Sequence, residues 1–100
     1  MKQVSDKQRR LNAEVTKIKK AKPKICIVCG RNCDPGDAMH LLNKNIFGKY
    51  YTEPKNIWRG HRECHMIFDD SKAFRSEQTE IIKIVREYAT DCEVYQYFGV

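Results

Sequence analysis

No run of apolar residues in this 100-residue chain approaches the roughly 20 needed to cross a bilayer, so no spanning helix is expected. The basic N-terminus is not followed by the apolar core of a signal sequence, and a cytoplasmic setting with no membrane partner is the expectation. Cysteines number five, an odd count that makes a poor disulfide framework. In a cytosolic chain, a Cys-x-x-Cys pair belongs more often to a metal site or a redox motif. No internal repeat is present. Acidic residues are scarce at the start: residues 1–24 carry nine Lys/Arg against Asp6 and Glu14, whereas residues 25–100 carry ten against eleven Asp/Glu. All of the formal charge of +6 therefore sits in the N-terminal arm. A basic arm on a near-neutral domain fits contact with a phosphate backbone, the bland alternative being a solvated helix face.

What the chain does have is ordinary apolar content, 41%, so it is not a disordered tail. It is long enough for one small domain, whose limited core calls for a staple such as a metal or a partner subunit. Val4, Leu11, Val15 and Ile18 fall at helical steps, with Ser5 or Asp6 available as N-cap, and Pro23 ends the pattern. This stripe is thin, one residue per turn, so the helix must lean on its own domain or on a second copy in a homodimer.

Lys24–Val28 reads as a short strand entering a knuckle at Cys26–Gly30, and residues 32–36 have turn chemistry. Ala38–Leu42 and Asn56–Arg59 read as paired strands around a loop, Asn43–Pro54, whose Tyr50 and Tyr51 are taken as packing residues. A helix is expected from about Arg62. A second is expected from Ser76, as N-cap, to Cys92, with Ile81, Ile84, Val85, Tyr88 and a buried Cys92 thiol on its apolar stripe. Residues 94–100 are ambiguous between a helical turn and an extended end. The organisation is a basic helical arm, 1–23, followed by an α+β domain, 24–100.

Two pairs at matching spacing, Cys26-x-x-Cys29 and His61-x-x-Cys64, flank a hairpin-length insert. A structural zinc takes four such soft or borderline ligands in a tetrahedron. A redox pair would sit at a strand-to-helix turn of a larger α/β unit, which is not the pattern here. Cys33 is a rival to His61, and His65 would be a fourth ligand if His61 pointed away.

With Asn56, His61, Cys64 and His65 spaced as they are, downstream of Cys26, Cys29 and His40, the chain resembles the zinc-stapled branch of the HNH endonuclease (ββα-metal, His-Me finger) superfamily over about residues 24–70. Asp37-Ala38-Met39-His40 behind a basic leader is also similar to phage recombination nucleases of the NinG kind. The resemblance implies a zinc-stapled ββα-metal core, hairpin plus helix, flanked by the N-terminal basic helix and a C-terminal helix. It implies that His40 is the general base, that His65 binds a catalytic Mg²⁺ or Mn²⁺, and that Asn56 ties the inter-strand loop so that His40 is held.

Two positions depart from the family pattern. Met39 stands where many members have a metal-binding Asp, and His61 replaces a Cys. Asp37 lies about 6–7 Å from position 39 along the strand. Asp69, on the His65 face of its helix, is the better second metal ligand.

The expectation is a metal-dependent DNA endonuclease or nickase of phage or mobile-element type, leaving a 5′ phosphate. Arg9, Arg10, Lys17, Lys19 and Lys20 would grip DNA backbone phosphates. The alternative is a catalytically inactive zinc-stapled DNA-binding module, for which Met39 is the best support. A third reading is a protein-interaction zinc domain.

Overall fold

In the computed structural model, which describes residues 6–100, five α-helices surround one two-stranded antiparallel hairpin. The elements run α1 (Asp6–Ala21), β1 (Asp37–His40), β2 (Ile57–Gly60), α2 (Arg62–Asp70), α3 (Lys72–Ser76), α4 (Thr79–Val85) and α5 (Asp91–Phe98). The architecture is thus small and α+β. Val4 and Ser5, assigned to the start of the first helix, lie outside the described residues. No helix among the described residues is long and apolar enough to cross a membrane.

Asp37 pairs with Gly60 and His40 with Ile57, so the hairpin puts the end of β1 beside the start of β2. Strand alternation then sorts the side chains. Met39 is fully buried among Leu41, Leu42, Phe68, Val85 and Phe98, while Ala38 and His40 face a cavity on the other side. Helix α1 lies across both strands, with Val15 buried and Leu11 and Ile18 half-buried. The thin apolar stripe therefore leans on its own domain. Lys22 closes this contact, its ammonium 3.6 Å from the centre of the Trp58 ring.

Three expectations are corrected. Lys24–Val28 is not a strand; one bridge, Ile25 to Asn32, closes the knuckle. The single helix from Ser76 to Cys92 is broken, and Ser76 is the last residue of α3 rather than an N-cap. The break before α5 has a local cause. Thr90 accepts from the Glu93 N–H while the Glu93 carboxylate accepts from the Thr90 N–H, a reciprocal cap that starts a new helix. The Thr90-x-x-Glu93 signature was readable, but the apolar stripe running through it masked it. Cys92 falls in the first turn of the new helix and is exposed, not buried. Residues 94–98 form the rest of α5.

Glu93 also takes the Lys49 ammonium at 2.7 Å and the Tyr50 hydroxyl at 2.6 Å. Burial opposes its charge, but these donors outweigh it and hold the carboxyl down at about 2. The contribution of this cluster is present above the ordinary carboxylate range and is lost as pH falls through that value.

Gly36 sits just before β1 at φ +66°, and an added Cβ there would lie 2.4 Å from the buried Cys33 sulfur. Gly30, at φ +74°, has open space around it. The left-handed conformation alone costs an L-residue about 1–2 kcal/mol. Gly30→Ala is therefore expected to lose about that much, and Gly36→Ala about 1–3 kcal/mol more through overpacking. Urea denaturation of the two zinc-loaded variants measures the difference, and equal losses would refute the packing role.

Candidate functional site

The knuckle and the start of α2 bring together four side chains that could hold a metal ion. The Cys26 carbonyl accepts from Gly30 N–H at 2.9 Å, closing a turn that carries both Cys26 and Cys29. Ile27 N–H donates to the Arg59 carbonyl, docking the knuckle on β2. His61 is the N-cap residue of α2 and Cys64 lies in its first turn, where the helix N-terminus favours a thiolate. The ligand atoms of Cys26, Cys29, His61 and Cys64 all lie within 4.8 Å of one another. Zinc at about 2.3 Å from sulfur and 2.0–2.1 Å from nitrogen places its ligand atoms about 3.4–3.8 Å apart, so the set needs only a small contraction.

The His61 tautomer also fits. Its Nε2 lies 2.9 Å from the Asn32 carbonyl, which can only accept, so Nε2 carries the proton. Nδ1 is left with a lone pair, 3.3 Å from the Cys29 sulfur. Burial opposes ionisation of Cys26, but N–H groups of Cys29, His61 and Val28 outweigh it and bring the thiol down to about 7. Cys64 is pushed up to about 12 by burial and by the neighbouring Cys26 and Cys29 sulfurs. A bound dication would let such crowded sulfurs ionise together. These four residues form a site consistent with zinc. Cys33 is outside the set: it is buried against Gly36, and its thiol is raised by burial and by the Cys26 and Cys29 sulfurs. His65 is outside it too.

A second constellation lines a cavity of about 360 Å³ between α1, the hairpin and α2. His40, His65 and Asp69 face it from the hairpin and α2, Asn12 and Thr16 from α1, and Lys44 from the inter-strand loop. His40 Nε2 lies 2.9 Å from the Tyr51 carbonyl, and the two rings stack 5.1 Å apart and nearly parallel. The carbonyl again fixes the tautomer, leaving Nδ1 unprotonated in the neutral ring. Burial, with smaller contributions from Lys44 and His65, holds His40 below the ordinary histidine value against the opposing Tyr51 carbonyl and Asp69.

Comparison with known protein families, curated proteins and solved structures found no match. The chemistry of the cavity must therefore be read from its own residues.

Asn56 is fully buried and does not line the cavity. Its amide nitrogen donates to the Leu42 and Tyr50 carbonyls at 3.2 Å, and its oxygen accepts from Leu42 N–H at 2.8 Å and from the Tyr88 hydroxyl. It thus pins the loop on both sides, including the residue next to Tyr51, whose carbonyl holds His40.

His65 lies between two carboxylates: Nε2 is 3.1 Å from Asp69 Oδ2 and Nδ1 is 3.4 Å from Asp37 Oδ2. The three do not converge on one point, because the carboxylates take opposite ring nitrogens. Met39, buried in the core, presents nothing to the cavity, so its apolar side chain removes no ligand from it.

Of the basic residues, Arg9, Arg10, Lys17 and Lys20 are exposed on α1. Lys19 is half-buried and donates to the Gly36 carbonyl at 3.0 Å, which anchors α1 to the hairpin.

Sequence reasoning missed Asn12, Thr16 and Lys44, whose place at the cavity depends on how α1 and the loop pack. It also missed Arg75, which is buried and donates to the Phe68, Asp69 and Tyr97 carbonyls at 2.7–2.9 Å. Arg75 satisfies the C-terminal carbonyls of α2 and ties them to α5. Tyr97, on α5, reaches Asp69 Oδ1 at 3.5 Å. Burial and the Asp69 charge push its phenol up to about 12, so it stays protonated and donates.

Proposed function

We propose that this protein is a metal-dependent endonuclease or nickase of the HNH, ββα-metal type, hydrolysing DNA phosphodiester bonds. The observation that carries the reading is the pairing of His40, with its Nδ1 free, and His65–Asp69 on the walls of one cavity. Phosphodiester hydrolysis needs a proton acceptor on one side of the scissile bond and positive charge on the other. His40 takes the proton of the attacking water. His65 Nε2 and Asp69 would hold Mg²⁺ or Mn²⁺, which would supply charge neutralisation at the phosphate and the leaving oxygen. Cys26, Cys29, His61 and Cys64 hold zinc and brace the start of α2 against β2. The exposed face of α1 grips DNA phosphates through Arg9, Arg10, Lys17 and Lys20, without reading sequence.

The second reading is a zinc-stapled DNA-binding module without chemistry. It draws on one observation: among the described residues the four zinc-type ligands are the only group of three or more metal-ligating side chains that converge.

Incubating zinc-loaded protein with supercoiled plasmid, with and without added Mn²⁺ or Mg²⁺, separates the readings. Nicking is expected only with the divalent ion, falling at least about tenfold in Asp69→Asn protein, because losing a metal ligand costs no less than losing a group that orients one. Salt-sensitive DNA binding without nicking would establish the binding module. Neither binding nor nicking would point to a protein-interaction zinc domain.

A further inference from the structure

A neutral imidazole offers one lone pair, so the catalytic value of His65 depends on which ring nitrogen carries the proton. His65 and Asp69 line the cavity with His40, whereas Asp37 lines a separate cleft beside Cys33, Gly36, His61 and Arg62. The nitrogen on the cavity side is therefore Nε2, next to Asp69, and Nδ1 points to Asp37 on β1. A carboxylate only accepts, so once a divalent ion takes the Nε2 lone pair beside Asp69, the hydrogen belongs on Nδ1, where Asp37 accepts it. Asp37 is itself held: its backbone is in the ladder opposite Gly60, and its other oxygen lies 3.8 Å from the Arg62 guanidinium. His65 is 27% exposed in its side chain, and an imidazole that open needs an external hold to keep one orientation.

We propose that Asp37 is the positioning residue of the catalytic centre: it fixes the rotamer and tautomer of His65 so that the Nε2 lone pair points into the cavity. This rests on the nuclease reading above. Asp37 acts through His65 from behind, while Asp69 shares the cavity side. Carboxylates that orient a metal-binding histidine in this way carry about 10–100-fold in metal affinity. The two acids flanking one ring thus have different jobs, decided by which side of His65 opens to substrate.

The test uses the zinc-loaded full chain with ¹⁵N-labelled histidine, for tautomer assignment by NMR, and Mn²⁺ alone as probe, its free fraction read by electron paramagnetic resonance. In the wild type with Mg²⁺ bound, His65 is expected as the Nδ1–H tautomer. Asp37→Asn, whose amide can donate to Nδ1, should lose that tautomer preference and weaken Mn²⁺ binding about 10–100-fold. Asp69→Asn should weaken Mn²⁺ binding while keeping the tautomer. With Mg²⁺ bound, a wild-type His65 protonated on Nε2 alone, or on both nitrogens, overturns the proposal whatever the variants do. So does an Asp37→Asn protein with wild-type tautomer and affinity, which would leave the nuclease reading standing. A wild type that binds no Mn²⁺ removes the nuclease reading and this inference together.

Discussion

His40→Ala is expected to lower the single-turnover rate of DNA cleavage by about 10²–10⁴-fold, the usual contribution of a positioned general base, with zinc content and fold retained. Retention follows from the position of His40, half-buried at the cavity rather than in the core around Met39 and Phe68. The pH dependence gives a second readout. Burial holds His40 below the ordinary histidine value of 6.5, so the neutral, proton-accepting form persists at lower pH than in a free histidine. Cleavage should rise with pH along an acid limb whose midpoint lies below 6.5, and that limb should vanish in the alanine variant. The stability sign agrees: the folded state prefers neutral His40, so its contribution is present above the unfolded value and is lost as pH falls through the lower folded one. A variant that cleaves as fast as the wild type would remove His40 from the chemistry.

Stripping the zinc, or replacing Cys26 by Ser, is expected to have the largest effect on the fold. Structural zinc sites contribute about 10–16 kcal/mol apparent binding free energy at neutral pH, comparable to the whole 5–15 kcal/mol stability of a domain. Cys26 is buried, and its knuckle is docked on β2 through Ile27 and on α2 through His61 N–H. Losing the metal should free residues 24–33 and the first turn of α2, displacing His65 one turn further on. The core of Leu41, Phe68, Ile81, Val85, Val94 and Phe98, against which Ile27 and Val28 of the knuckle pack, would keep residual helix. Cys92→Ser, at an exposed thiol outside the cluster, should stay within about 0.5 kcal/mol of the wild type. Zinc stoichiometry and thermal melting by circular dichroism read both variants. A Cys26→Ser protein with full zinc and an unchanged melt would refute the assignment.

The four zinc-type ligands were legible because a metal half-site is a local object. Two ligands three residues apart fit a knuckle or the first turn of a helix, and that spacing survives in the linear chain. The hairpin was legible for the same reason, through short runs bounded by turn residues. The C-terminal half was misread where two local signals competed: the periodic stripe through Ile81, Val85 and Tyr88 outweighed the Thr90–Glu93 cap, yet the cap decided the break. Tyr88 packs against the core as the stripe implied, and its hydroxyl also reaches Asn56.

By itself, then, the sequence determined the ligand pairs, the strand that carries His40 and the one that follows Asn56, and the helical character of residues 6–21 and 62–70, all set by spacing within a few residues. Only the tertiary structure decided what faces what. It put Met39 into the core and His40 toward the cavity, packed α1 along that cavity through Asn12 and Thr16, and set Asp37 and Asp69 on opposite nitrogens of His65. It also placed Arg75 and Tyr97 behind Asp69. Each of these joins residues distant in the chain, and such contacts form only when burial of the shared apolar core brings α1, the hairpin, α2 and α5 together.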